Sequence, residues 1–177
     1  MNLFEAIDRR YSHKERFLPD AVPLADLEKI ARAGLAAPTG MNSQCVKLII
    51  LPDRQTLQPL CDVAPTDGML TAPAAIAVLT DKTAQNWKCS FEVEDYAAAT
   101  ENMLLAAVAL GYVSLWLDSP YFDAVKQREV CEVLGVPANY QLRVVLPVGL
   151  PDGEGKRREK LTFEERVSYG KFGAGKN

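Results

Sequence analysis

The chain has 177 residues, 48% of them hydrophobic and 24% charged, with a formal net charge of −3. That length fits a single domain spanning residues 1–177, able to bury roughly 70% of the surface an unfolded chain exposes. The mild acidity gives no reason to expect nucleic acid or an anionic membrane as a partner, and the longest apolar run, Met103 to Leu110, is too short to cross a bilayer.

Leu3, Phe4 and Ile7 have helical spacing and predict a short helix over residues 2–10 that delivers Arg10 at its end. Leu24, Leu27, Ile30, Ala31 and Leu35 repeat in steps of three and four, predicting a second amphipathic helix, closed by Gly34 and Pro38. Val46 to Leu51 is aliphatic, stops at Pro52 and reads as a buried strand, as does Ala74 to Leu79. Residues 92–110 predict the longest helix, with Glu92, Glu94 and Asp95 at its positive end and Gly111 at its exit. From Met103 this helix is apolar on nearly every face, which suits the core or a subunit interface. Val113–Leu117 follows as a strand, Phe122 to Leu134 as a helix, and Leu142–Val148 as a last strand. Pro151–Lys160 is a charged loop, and Leu161, Phe163, Val167, Tyr169 and Phe172 are scattered through a polar tail. That tail suits docking on a second subunit and, equally, a short helix packed on its own domain.

The usual catalytic constellations lack raw material. His13 is the only histidine, so Ser-His-Asp and Cys-His arrangements are not expected. Cys45, Cys61, Cys89 and Cys131 are widely spaced, which argues against zinc and for reduced thiols in a cytoplasmic protein. The first residues lack the basic start and apolar stretch of a secretory signal. No Gly-rich phosphate loop follows a strand. Such scarcity fits an enzyme whose bound cofactor supplies the reactivity.

Two motifs carry chemistry. In Arg10-Tyr11-Ser12-His13-Lys14, an extended backbone turns Arg10, Ser12 and Lys14 to one side. Two cations with a hydroxyl between them make an anion cradle; taken alone, a solvated basic patch at the end of the first helix is the better reading. Ala37-Pro38-Thr39-Gly40-Met41-Asn42-Ser43-Gln44 joins a helix to a strand and ends in amides, which can donate and accept at once. The mixed edge of a flavin, pterin or nucleobase asks for that.

With Ala72-Pro73, Ala109-Leu110-Gly111, Ser114-Leu115-Trp116-Leu117, Gly135-Val136-Pro137 and Gly149-Leu150-Pro151, these motifs run in an order that resembles the nitroreductase family of FMN-dependent oxidoreductases. The resemblance implies an α+β fold with a central mixed, mainly antiparallel sheet flanked by helices. It also implies a homodimer with exchanged carboxy-terminal arms and two flavin sites at the interface. Arg10 and Ser12 would meet phosphate or ribityl oxygens together with Arg158 and Lys160, Tyr11 would belong to the same cofactor site, and Lys14 would lie near the pyrimidine edge. There an ammonium would stabilise the negative charge that reduced flavin carries. Pro38, Thr39, Gly40, Met41, Asn42 and Gln44 would approach the ring from the partner subunit, and Trp116 and Leu117 would run along its other side. A main-chain N–H near the ring would come from Ser119 or Tyr121, since Pro120 has none. For Trp116 a core position is the stronger reading, and Arg157–Lys160 suits a solvated loop almost as well.

The implied activity is hydride transfer from NAD(P)H to flavin N5, then reduction of a small electron-poor acceptor such as a nitroaromatic or quinone, in ping-pong order. No catalytic side chain and no metal is expected. A flavin- or nucleotide-binding carrier or sensor without turnover would use the same cradle. Cys45-Val46 stands where many relatives have Pro-Trp, Arg16 competes with Lys14, and Pro65 and Gly68 occupy positions where larger members carry an amide and a lysine. Nothing near Cys45 in sequence would lower its pKa, so a small buried hydrophobe is expected there rather than a redox thiol.

Overall fold

Alternation along two long central strands divides the molecule into layers. The computed structural model describes residues 1–84 and 90–175. Helix α1 (Leu3–Arg9) starts at Asn2, whose side chain and that of Glu5 cap each other's main chain. Helix α2 (Leu24–Leu35) leads through a 3-10 turn at Gly40–Asn42 into β1 (Val46–Leu51). Helices α3 (Arg54–Val63) and α4 (Asp67–Thr71) precede β2 (Ala74–Asp81). Helix α5 (Glu92–Ala109) is followed by β3 (Val113–Ser114), a 3-10 turn at Ser119–Phe122, α6 (Ala124–Val133) and β4 (Tyr140–Gly149). A single helical turn, α7 (Phe163–Arg166), lies in the exposed tail.

The strands pair antiparallel in the order β1-β2-β4-β3, and an isolated bridge between Ser12 and Ser114 adds one parallel contact. On β2, Ala74, Ile76 and Val78 face a core built with α2 and α5, while Ala75, Ala77 and Leu79 face one built with α3 and α6. A strand buried on both faces reads as a continuous apolar run, as Ala74–Leu79 does. The register shifts between Val78 and Leu79, opposite Arg143, so that Leu142 and Val144 fall in opposite cores although they are two residues apart. The bulge turns Arg143 toward α5, where its guanidinium donates to Glu92, bonds Thr80 Oγ1 at 2.8 Å and lies over the Tyr96 ring.

One sequence expectation needs correction. The strand over Val113–Leu117 stops at Ser114 and touches the sheet again only through a bridge between Leu117 and Val145. Leu117 and Val145 exchange both main-chain bonds, so the N–H two residues further along β4 would point the same way, but Pro147 has none. Helices α3 and α4 were not anticipated. Pro59 lies inside α3 and hides its period, although Asp53 and Thr56 cap each other and Leu57, Leu60 and Cys61 are buried at helical spacing.

Candidate functional site

Both ends of the chain line one cavity of about 590 Å³. Its walls include Arg10, Tyr11, Ser12 and Lys14 from the segment after α1, and Lys156, Arg157, Arg158 and Lys160 from the loop after β4. Six cations thus face two carboxylates, Asp8 and Glu15, in a protein of net charge −3. Such a cavity concentrates positive potential and suits an anion that accepts several hydrogen bonds.

The elements on either side explain the convergence. Ser12 bridges to Ser114 and His13 N–H donates to the Ser114 carbonyl at 3.0 Å, so the segment is laid along the β3 edge. In this extended course Tyr11 and His13 turn inward while Ser12 and Lys14 are exposed. His13 is fully buried; its Nε2 meets the Arg16 carbonyl at 2.9 Å and its Nδ1 faces the Tyr11 hydroxyl at 3.3 Å. It is a structural residue. Arg10 Nε lies 3.2 Å from Glu101 Oε1 on α5, which aims the guanidinium.

The late loop is held by contacts that sequence reading missed. Arg157 donates to the carbonyls of Asp8 and Arg9 at the end of α1, and its guanidinium lies 5.8 Å from the centre of the Tyr11 ring. A cation at a helix carboxy end meets unsatisfied carbonyls and the negative end of the dipole. Burial, followed by the Glu15 charge, pushes the Tyr11 hydroxyl upward from its ordinary pKa, with Arg157 opposing. Arg157 is therefore a latch, and Arg158 and Lys160, which follow it, are left to the cavity.

The second motif lines a different cavity, about 760 Å³, bounded by the end of α2, Pro38, Thr39, Asn42, Gln44 and the start of β1. Met41, Asn42 and Gln44 all adopt left-handed backbone, with φ of 53°, 55° and 49°. Three non-glycine residues in that region within four positions carry strain, which the surroundings must hold. The holding group is Asp95 on α5, only 2% exposed. It accepts from Gly40 N–H at 2.7 Å, Ser43 Oγ at 2.9 Å and Cys45 Sγ at 3.3 Å. Thr39 Oγ1 accepts from Gln44 N–H at 3.1 Å. Gly40 lies so close to Phe91 that an added Cβ would fall 2.4 Å from the ring. The side chains of Met41, Asn42 and Gln44 remain exposed while their main chain is tied down.

Asp95 escaped the sequence reading as a residue merely suited to a helix start. The available signal was its place in a stripe with Ala99, Met103 and Ala107, all buried. A carboxylate on a buried stripe needs donors nearby. Cys45 is fully buried, and burial together with the Asp95 bond pushes its thiol up to about 11, far from a reactive thiolate.

The remaining candidates stand apart from both cavities. Trp116 packs beside Tyr96 and donates from Nε1 to Asp118 at 2.8 Å. Leu117 is in the core with its N–H and carbonyl both bonded to Val145. Tyr121 N–H is bonded to the Asp118 carbonyl, which leaves Ser119 as the main-chain donor of that turn. Among the described residues no group of His, Cys, Asp and Glu could hold a metal ion, and no helix is long and apolar enough to cross a membrane.

A sequence model of the nitroreductase family matches residues 7–67 and 57–150. This chain belongs to the nitroreductase family. An Archaeoglobus fulgidus relative, named "Putative NADH dehydrogenase/NAD(P)H nitroreductase", is 36% identical over 130 residues, covering 73% of this chain and 74% of its own. Among solved structures, a nitroreductase family protein of Clostridium difficile 630 superposes with a TM-score of 0.81 at 27% identity, covering 97% of this chain and 99% of its own. A nitroreductase-type protein of Desulfovibrio desulfuricans, crystallised in complex with FMN, shares the fold at a TM-score of 0.81 and 24% identity, covering 96% and 97%. The α+β architecture with its antiparallel sheet is thus that of the family.

Proposed function

We propose that this protein is an FMN-dependent NAD(P)H oxidoreductase that reduces small electron-poor acceptors such as nitroaromatics and quinones. The observation that carries the reading is the convergence of Arg10, Ser12 and Lys14 with Arg158 and Lys160 around one cavity. Their donor set fits a phosphate monoester: guanidinium forks, ammonium points and a hydroxyl, all able to donate to its oxygens. Bound FMN would supply the redox chemistry, accepting hydride from NAD(P)H at N5 and returning electrons to the acceptor in ping-pong order.

The chain's own residues have the work of holding and orienting. Arg10 and Ser12, with Arg158 and Lys160, bind the phosphate end. Lys14 offers positive charge toward the pyrimidine edge, where it favours the reduced cofactor. Asn42 and Gln44 present amides to the polar rim of the ring. These two groups line separate cavities of one chain. A homodimer that joins the cradle of one protomer to the amide loop of its partner supplies a complete site. The exposed Leu161, Phe163 and Tyr169 of the tail and Leu3, Phe4 and Ile7 of α1 support such an assembly, with the tails as exchanged arms.

The purified protein is expected to be yellow, to retain FMN through gel filtration at dimer size, and to oxidise NADH steadily when a quinone is added. Colourless protein that takes up no FMN overturns the proposal. FMN binding without NAD(P)H oxidation would leave a carrier instead.

A further inference from the structure

We infer that Asp95 is the positioning residue of the ring-facing loop, setting where the amides of Asn42 and Gln44 meet the flavin. The inference rests on the preceding reading that these amides face the cofactor. Asp95 touches neither amide. It acts through the main chain, accepting from Gly40 N–H at 2.7 Å and Ser43 Oγ at 2.9 Å, with Cys45 Sγ at 3.3 Å as a third donor. These partners bracket Met41, Asn42 and Gln44, the left-handed residues. A run of such residues persists only where outside contacts over-determine it.

The carboxylate is suited to this task in a way that a neutral isostere is not. Its two oxygens face donors only: Oδ1 takes Gly40 N–H and Oδ2 takes both Ser43 Oγ and Cys45 Sγ. An amide in its place keeps the shape but has a single acceptor atom, so its NH₂ must face a donor. The side chain is 2% exposed, and water is poorly placed to repair the mismatch. Asp95 also stands on a rigid support. One turn from Asp95, Glu92 pairs with Arg143, which the β4 bulge turns toward α5. The loop geometry is thereby referred to the central sheet rather than to solvent.

Asp95→Asn tests this, with Ser43→Ala as a milder variant that removes one donor and leaves the acid. Val130→Ala, on the opposite face of the sheet, serves as a control for general loss of stability. Expected for Asp95→Asn are FMN binding weakened about tenfold and a displaced absorption band and midpoint potential of the bound flavin. Ser43→Ala should move both in the same direction by less, and Val130→Ala should move neither at a similar loss of Tm. An Asp95→Asn protein that binds FMN with unaltered affinity, spectrum and potential overturns the inference. If the unmodified protein binds no FMN, the functional reading fails by itself, and hydrogen exchange of the Gly40 amide decides the role of Asp95. Faster exchange in Asp95→Asn supports it, and unchanged exchange overturns it.

Discussion

Gly155 lies against the ring of Tyr11, so close that a Cβ added to it would fall 2.0 Å from Cε2 and 2.6 Å from the hydroxyl oxygen. Only a residue without a side chain lets the loop after β4 close over the segment after α1. The contact joins the two segments that line the proposed phosphate cradle. Gly155→Ala should therefore destabilise the fold by about 1–3 kcal/mol through overpacking, and weaken FMN binding because Arg158 and Lys160 are displaced. Thermal unfolding and a flavin titration on the same sample check both effects.

Three cations within four positions near the end of the chain, Arg157, Arg158 and Lys160, have different work, and alanine variants should separate them. Arg158→Ala and Lys160→Ala should each weaken FMN binding by about tenfold or more, with little change in Tm, since each removes a charge-assisted bond to phosphate. Binding in these variants should also depend less steeply on salt. Arg157→Ala should instead lower Tm, because it uncaps the carbonyls of Asp8 and Arg9 and unstacks Tyr11. Equal effects of all three on FMN affinity, with equal Tm, would contradict the division.

The buried Cys45 thiol, raised from 9.0 to about 11, gives a signed pH effect. A group whose folded pKa lies above its unfolded value contributes stability in full below the unfolded value and loses it as pH rises through the folded one. The stability advantage of the unmodified protein over Cys45→Ala should accordingly shrink between about pH 9 and about 11. At neutral pH the thiol should resist alkylation, and Cys45→Ser should retain NADH oxidation. Denaturation curves across that pH range and mass spectrometry after iodoacetamide provide the measurements.

Removing residues 161–177 tests the assembly. The described part of this tail leaves Leu161, Phe163 and Tyr169 exposed on a single chain. The truncated protein should sediment as a monomer and lose FMN, since the amide loop of one protomer would no longer face the cradle of another. A truncated dimer that keeps its flavin would show that the tail is dispensable.

Much of the fold was legible where one local period ran unbroken. Leu27, Ile30 and Ala31 of the α2 stripe are buried as their spacing requires, while its end members Leu24 and Leu35 are exposed, and β1 runs over Val46–Leu51 as the aliphatic stretch predicts. Legibility failed where a proline acted. Inside α3, Pro59 masks a capped and periodic helix; on β4, Pro147 withholds a donor from the neighbouring strand and cuts the expected Val113–Leu117 to two residues. The second effect cannot be read locally, because the deficient residue and the shortened strand are more than thirty positions apart.

The amino-acid order alone determined which chemistry is present: cations and a hydroxyl in alternation near Arg10, cations near Arg158, and amides after a proline turn. Which cation serves a ligand and which serves the fold was decided only by tertiary structure. Arg157 and Arg158 are neighbours of one type, and nothing local tells them apart. What separates them is that the carbonyls of Asp8 and Arg9, 149 and 148 residues away, stand unsatisfied at a helix end within reach of one guanidinium and not the other.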